Sequence, residues 1–338
     1  MAKVRTIIIG VGGMARHHIK QMLKQQDTTE IVALCDPSQK QLEMSGELFT
    51  AEGLPIPTTG PELEPLLQEF KGELDAALIV TPHAFHLKQA TACLESGLDV
   101  LLEKPMVMNA REARKLIKTT KETGKLLVVA FPGSLSPQIR TAKEILRSGT
   151  IGTLQSVNGF AWQNWKTNTA NTWRQAPKLA GGGFLFDTGA HLLNTTCDLL
   201  GEDFVEVAAW LDNRGAPVDI IGTVMAKTKS GVYVTMHGCG DSFPTWASEL
   251  MLVGNGGLLR TGIWGERLQL QVGKVRGSGF TPRTVKVPAS LGVWEQFIDV
   301  RDGRMENPCP PEVGLRMAKL WDAINESAGV GGKPVSLK

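Results

Sequence analysis

The sequence has no cysteine pattern, no long apolar run and no strong excess of charge. Its five cysteines, Cys35, Cys93, Cys197, Cys239 and Cys309, are odd in number, far apart, and contain no Cys-x-x-Cys. That argues against a disulfide-stapled secreted chain and for a reduced intracellular one. No apolar stretch reaches the roughly 18 residues that a membrane span needs. The net charge is +2 with the basic residues scattered, which leaves no electrostatic footprint for nucleic acid or anionic lipid. From Met1 the chain runs through Lys3 into a strand-like segment, without the apolar stretch of a signal peptide. There is no internal repeat. The expectation is a soluble, cytoplasmic protein with no nucleic-acid or membrane partner.

What is present is ordinary in amount and informative in order. At 338 residues, 42% of them hydrophobic and 21% charged, the chain can fill two cores. Over the first 130 residues, strand-like runs at Val4–Ile9, Ile31–Cys35, Ala76–Val80, Val100–Leu102 and Leu126–Ala130 alternate with helix-like segments at Met14–Gln25, His86–Ser96 and Ala110–Thr123. Such alternation predicts βαβ units and a doubly wound parallel sheet. A helical piece, Pro137–Arg147, ends near Gly149, and the texture then changes. Asp219–Ala226 and Val232–His237 read as strands joined through Lys229-Ser230-Gly231, and Leu250–Val253 and Leu258–Arg260 flank the hairpin signal Asn255-Gly256. The fold class is α/β: a Rossmann domain over 1–131, then an α+β domain with a mostly antiparallel open sheet over 132–338. One helix near 187–200 crosses the second domain, and Pro311–Ser327 reads as a C-terminal helix. The tail "GVGGKPVSLK" reads as a loosely held end.

"IIIGVGGMA" sets Gly10, Gly12 and Ala15 in G-x-G-x-x-A register between a strand and a helix. Gly10 permits the tight turn, Gly12 lets backbone approach a pyrophosphate at the helix N-terminus, and Ala15 permits close helix–strand packing. Gly13 and Met14 complete the turn. Asp36 closes the second strand about two dozen residues beyond the glycines, where a carboxylate can accept both ribose hydroxyls. It would repel a 2′-phosphate, and no arginine follows it, so the expected cofactor is NAD rather than NADP. After the Ala76–Val80 strand, Thr81-Pro82 leaves His83 and His86 near the carboxyl edge of the sheet, where doubly wound folds hold ligands. For His86, ordinary packing at a helix start is an equal reading. Glu103-Lys104-Pro105 breaks an apolar strand at the same edge. Pro105 restricts Lys104 to extended angles and aims it. Glu103 points the other way and suits anchoring.

In the second half, Gly181–Gly183 read as a flexible entry to Asp187 and His191. Four residues apart on a helix, these two share a face, where the carboxylate can orient the imidazole and stabilise its protonated form. Asp187 near the helix start also benefits from the dipole, although for such a pair alone a helix-start acid and a satisfied core histidine is the more usual reading. A zinc reading that recruits Cys197 lacks a paired cysteine or a third spaced histidine, so no metal is expected. Trp162, Trp165 and Trp173 stand among Asn164, Asn168, Asn171, Lys166 and Arg174. Indole faces with amide and guanidinium donors suit a polyol; a sheet surface or subunit contact explains them equally well.

Taken together, these motifs resemble the glucose–fructose oxidoreductase / inositol 2-dehydrogenase / MocA family of nicotinamide-dependent sugar and polyol dehydrogenases. The resemblance covers nearly the whole chain: the glycine fingerprint, Thr81-Pro82-x-x-x-His86, Glu103-Lys104-Pro105, Gly182-Gly183 leading to Asp187-x-x-x-His191, and Asn307-Pro308 before the last helix. It implies that Lys104, Asp187 and His191 are the catalytic group. It also implies homodimers or homotetramers formed through the second domain's sheet. Two departures stand out. His83 occupies a position where the family commonly has asparagine. The further acidic residue that inositol dehydrogenases carry after the histidine is replaced by Leu192-Leu193-Asn194.

The expected reaction moves a hydride between a secondary hydroxyl of a sugar, polyol or glycoside and nicotinamide. His191 takes the hydroxyl proton, Asp187 orients the ring and Lys104 stabilises the alkoxide; neutral Lys104 as the base is the exchanged assignment. Trp162, Trp165, Trp173, Arg174, Asp187 and His191 would hold the substrate. Two other functions fit the same residues. One is a redox-neutral epimerase or eliminase using tightly held NAD. The other is a non-catalytic NAD-binding sensor, which would need only the glycines and Asp36.

Overall fold

Buried β-branched and leucine runs between helices build the first of two units into which the computed structural model divides. It describes residues 2–243, 245–273 and 282–337; Met1 and the tail's last residue, Lys338, lie outside these. The first unit comprises Met1–Val107, Arg111–Ala130 and Gly292–Pro311. Its sheet is six-stranded and parallel: β1 (Val4–Ile9), β2 (Thr29–Cys35), β3 (Thr58–Gly60), β4 (Ala76–Ile79), β5 (Asp99–Glu103) and β6 (Leu127–Ala130), in the order β3-β2-β1-β4-β5-β6. Strand order reverses between β1 and β4, so the crevice beyond their carboxyl ends is the ligand position of a doubly wound sheet. The alternation of the first 130 residues foretold this, except that β3 and the helices Gln39–Ala51 and Leu63–Glu69 went unforeseen.

The return of Gly292–Pro311 to this unit was not legible either. The Val293–Arg301 helix buries Trp294, Phe297 and Ile298 in the same core as Ile8, Ile19 and Leu78. Trp294 Nε1 donates to Thr29 Oγ1 at 2.8 Å, and Arg301 Nε reaches Asp99 Oδ2 at 3.0 Å. A local pattern cannot report a partner about 200 residues away.

The second unit is Met108–Ala110, Phe131–Leu291 and Glu312–Lys338. Its nine-stranded sheet contains β7 (Leu154–Gln163), β8 (Phe204–Asp212), β9 (Ile221–Thr228), β10 (Tyr233–Cys239), β11 (Trp246–Gly254), β12 (Gly257–Thr261), β13 (Leu268–Val272), β14 (Arg283–Thr284) and β15 (Val335–Ser336). The order is β14-β13-β12-β11-β7-β10-β9-β8-β15, antiparallel throughout except for the parallel β7–β10 pair. Both expected hairpins form, β9–β10 and β11–β12.

Strand alternation gives this sheet two unlike faces. Val157, Gly159, Ala161, Val224, Met236, Leu250 and Leu259 point inward, and Leu192 of the Ala190–Leu200 helix packs so closely that a Cβ on Gly159 would lie 2.6 Å from it. The outward face carries Trp162, Trp210, Met225 and Tyr233, all exposed. The tail is not loose. Val335 and Ser336 pair with Val207 and Glu206, and Ser327 Oγ donates to the Lys333 carbonyl at 2.7 Å. An edge strand's unpaired backbone groups supplied the partner that a polar, glycine-rich tail could not show by itself.

Candidate functional site

In the first unit, β1 ends at Ile9 and the chain turns at Gly10 with φ +78°, a conformation L side chains rarely adopt. A Cβ there would lie 2.7 Å from the Val80 carbonyl oxygen, so the exits of β1 and β4 meet with no room for a side chain. Gly12 caps the Gly13–Met22 helix without a side-chain hydrogen bond, and that helix has no acidic residue in its first turn. A Cβ added at Gly12 or Gly13 would meet nothing within 4 Å. Uncapped N–H groups facing open space at a helix N-terminus suit a phosphate, so these residues fit a dinucleotide. Met14 is half exposed beside the cradle, and Ala15 is fully buried beneath it.

Asp36 is held at the rim: the Val11 N–H donates to Oδ2 at 2.9 Å and the Ser38 N–H to Oδ1 at 2.8 Å. Each oxygen keeps acceptor capacity for a ribose hydroxyl.

The residues expected at the neighbouring strand ends divide between surface and scaffold. Thr81 Oγ1 donates to Gln89 Oε1 at 2.5 Å, and Pro82 precedes the His83–Glu95 helix. His83 and His86 are both buried, their rings 5.7 Å apart. His86 faces two carbonyl oxygens, Nδ1 to Pro105 and Nε2 to Thr81, each at 2.9 Å. Burial pushes its pKa below the ordinary value despite those acceptors, and the neutral ring donates to one of them. It fastens the ends of β4 and β5, so of its two sequence readings the geometry supports ordinary packing.

Glu103 is also a fastener: Oε1 lies 2.8 Å from His18 Nε2, and Oε2 accepts the Lys104 N–H at 3.1 Å. His18, from the helix that follows the glycine turn, was missed because nothing in a lone sequence pairs it with a strand 85 residues on. Burial pushes the Glu103 carboxyl up, but the His18 hydrogen bond and charge and the Lys104 ammonium outweigh it and hold the pKa below its ordinary 4.5. A depressed folded-state pKa contributes stability above pH 4.5 that is lost as pH falls through the lowered value. Glu103→Gln should therefore flatten the acid limb of melting temperature against pH; an unchanged limb would refute the link.

In the second unit, Gly181–Gly183 are not a flexible entry but a packed one. A Cβ on Gly182 would lie 2.5 Å from the Trp321 ring, and one on Gly183 would lie 1.9 Å from the Asp219 carbonyl oxygen. The Asp219 carboxylate takes the Gly183 N–H on Oδ1 at 2.6 Å and the Leu185 N–H on Oδ2 at 3.0 Å. Burial nevertheless pushes the pKa of this carboxyl up. Asp219, expected only as the start of a strand, instead holds the segment that presents Asp187.

Asp187 and His191 do not share one helix. Phe184–Asp187 and Ala190–Leu200 are separate, because Gly189 folds back to donate to the Phe184 carbonyl, five residues earlier, at 2.8 Å. A Cβ on Gly189 would lie 2.6 Å from the Leu185 backbone, so only glycine admits that wide turn.

The Asp187 carboxylate is buried and accepts Trp165 Nε1–H at 2.8 Å, while Arg174 Nε lies 3.2 Å from the same oxygen, Oδ2. Trp165 is thus a buried donor rather than a sugar platform. The Arg174 guanidinium also stacks over Trp173, 4.5 Å from the ring centroid. Trp162 points to the outward sheet face and stacks on Phe160, which supports its sheet-surface reading; it is not brought to this cluster. His191 sits between the Phe131 ring, edge-on at 5.7 Å, and the Trp264 ring at 5.5 Å. Gln163 accepts a hydrogen bond from Thr188 Oγ1 at 2.9 Å. Cys197, the thiol of the rejected zinc reading, is buried and pushed up to about 12 by that burial, so it remains a protonated thiol. Lys104 belongs to the first unit, and Asp187 and His191 to the second.

Two family models match. "Oxidoreductase family, NAD-binding Rossmann fold" covers residues 4–131, and "GFO/IDH/MocA C-terminal domain" covers residues 139–260. Oxidoreductase P35 of Formosa agariphila is 31% identical over 46% of this chain and 50% of its own length. Levoglucosan dehydrogenase of Pseudarthrobacter phenanthrenivorans is 30% identical over 43% of this chain and 40% of its own. The chain thus spans half or less of the length of these curated relatives. A solved levoglucosan dehydrogenase in complex with NADH superposes with TM-score 0.85 at 20% identity, covering 100% of both chains, a likeness of fold.

Proposed function

Because the chain belongs to the Gfo/Idh/MocA oxidoreductase family, we propose that it is an NAD-dependent dehydrogenase acting on a secondary hydroxyl of a sugar, polyol or glycoside. The observation that carries this is the buried Asp187 carboxylate, braced by Trp165 and Arg174 four residues before His191. A sensor would need only the glycine turn and Asp36. Levoglucosan dehydrogenase, by its name a relative that oxidises a sugar derivative, supports the substrate class.

The turn from Gly10 to Ala15 would take the pyrophosphate, and Asp36 the adenosine ribose. NAD supplies the hydride acceptor when bound. His191 takes the hydroxyl proton, Asp187 offsets the imidazolium charge, and the Lys104 ammonium stabilises the developing alkoxide. Trp165 and Arg174 keep Asp187 from swinging away, and the Trp173 ring lies against the Arg174 guanidinium. The test is absorbance at the NADH band across sugars, polyols and methyl glycosides. Silence across the panel, with clear thermal stabilisation by NAD, would sink the dehydrogenase reading.

A homodimer or homotetramer formed through the outward face of the second unit's sheet belongs to the same proposal. Ala208, Met225, Thr235, Asn158 and Met251 line up across five strands of that face, flanked by exposed Trp210, Tyr233 and Trp162. Exposed aromatic and methionine side chains gathered on one sheet face in this way mark interfaces. Sedimentation of the wild type should give a dimer or larger, and Met225→Glu should shift it toward monomer with circular dichroism unchanged; a monomeric wild type would refute it. The buried free thiols Cys35, Cys93, Cys197 and Cys309 support a reducing, cytoplasmic setting.

A further inference from the structure

One indole outside the sequence-derived site lies beside His191, and a second packs against the first. Trp264, in the loop between β12 and β13, has its ring 5.5 Å from the imidazole. Trp246, at the start of β11, meets Trp264 nearly perpendicularly, at 5.6 Å and 82°. Trp246 pairs across the sheet with Gln163, whose Oε1 accepts from Thr188, the residue after Asp187. Cross-strand partners share a face, so both indoles stand on the inward face with the Asp187–His191 cluster.

The corner is built rather than incidental. Thr195, one turn beyond His191, donates its hydroxyl to the Ile263 carbonyl at 2.8 Å. Ser248 Oγ donates to Glu266 Oε1 at 3.0 Å, and the Trp264 N–H donates to Glu266 Oε2 at 3.1 Å. A Cβ on Gly262 would overlap the Glu266 carboxylate, and Gly265 has φ +81°, so the loop closes tightly around that carboxylate. Trp264 is thus positioned from both the His191 helix and β11. Trp246 nevertheless leaves 60% of its surface exposed, an apolar cost that a ligand would offset.

We infer that the Trp246–Trp264 corner binds the C–H face of a cyclic pyranose or pyranoside whose hydroxyl reaches His191, and that it selects rigid rings over open-chain polyols. Two indole planes at a fixed right angle complement a ring with a permanent apolar face. An open-chain polyol has no such face and must give up more rotational freedom to present one. That the bound hydroxyl is oxidised rests on the proposed function; that the ring is bound here does not.

The experiment is calorimetry on the full chain with NADH, titrating methyl D-gluco-, galacto- and xylopyranoside and, separately, sorbitol. It compares wild type with Trp264→Ala, Trp246→Ala and the two Trp→Phe variants, with folding checked by circular dichroism. The expected result is a pyranoside bound about tenfold or more tightly than sorbitol, a loss of about tenfold on either alanine substitution, and retention by phenylalanine. In turnover, the loss should fall on KM, with kcat changed less than about threefold. Alanine variants that bind like wild type would overturn the inference, as would a wild type that prefers sorbitol or binds no pyranoside. So would Trp264→Ala lowering kcat equally for every substrate and shifting the pH profile at unchanged affinity, since Trp264 would then serve only to hold His191. Pyranoside binding that the alanine variants lose, without NADH formation by the wild type, would sink the dehydrogenase reading and leave the corner standing.

Discussion

Replacing His191 with alanine is expected to lower turnover by about 10²–10⁴-fold, the usual span for loss of a general base, while leaving NAD affinity unchanged. Lys104→Ala should fall in the same range, and the two variants should differ in pH dependence. Without His191 the hydroxyl proton loses its proposed acceptor. Without Lys104 the alkoxide loses its charge partner, and the loss should be partly recovered by added alkylamines. The site is sensitive because Asp187 has already been removed from water and braced by Trp165 and Arg174. A buried carboxylate so held is preorganised for the charge that His191 would acquire as the proposed base. Steady-state NADH formation and separate titration of NAD binding read the two effects independently. Wild-type turnover in both variants on a competent substrate would overturn the assignment of roles.

Gly183→Ala should produce the largest loss of stability. Its new methyl group would stand 1.9 Å from the Asp219 carbonyl oxygen, a backbone atom that cannot rotate away. The same displacement would pull the Gly183 and Leu185 N–H groups off the Asp219 carboxylate. Overpacking of this kind costs about 1–3 kcal/mol and sometimes more, and each buried partner left unsatisfied adds about 1–3 kcal/mol. A cost on the order of 3 kcal/mol or more is therefore expected, measured as a lowered urea midpoint. Turnover should fall with it, since Asp187 is carried on the displaced segment. Asp219→Asn keeps the carbonyl but exchanges one acceptor for a donor, and should cost less. A Gly183→Ala protein with an unchanged midpoint would show that the clash relaxes freely.

The two halves were unequally legible in the sequence. In the first unit, alternation of apolar strands and helices, the glycine register and Asp36 were all local signals, and the observed turn follows them closely. Glu103 looked like an anchor from strand alternation alone, but its partner His18 did not, since a pairing across 85 residues leaves no periodic trace. In the second unit, the hairpins at Lys229–Gly231 and Asn255-Gly256 were readable from turn chemistry. The triple glycine was misread as flexible because composition reports conformational freedom, whereas Gly182 and Gly183 are there for close approach. The four-residue spacing of Asp187 and His191 predicts one helical face; the fold-back at Gly189 divides them into two helices.

By itself, the amino-acid order determined the class of each half and the dinucleotide turn, and it singled out Lys104, Asp187 and His191 as the residues to test. These depend on short-range backbone preferences and on spacings within one or two elements. Tertiary structure alone decided which tryptophan does what. Trp165 became a buried donor, Trp162 turned to the outward sheet face, Trp264 came to stand beside His191, and Trp246 packed against Trp264. A side chain's surroundings depend on strand register and on packing between segments far apart in the chain, and one-residue register steps reverse its face.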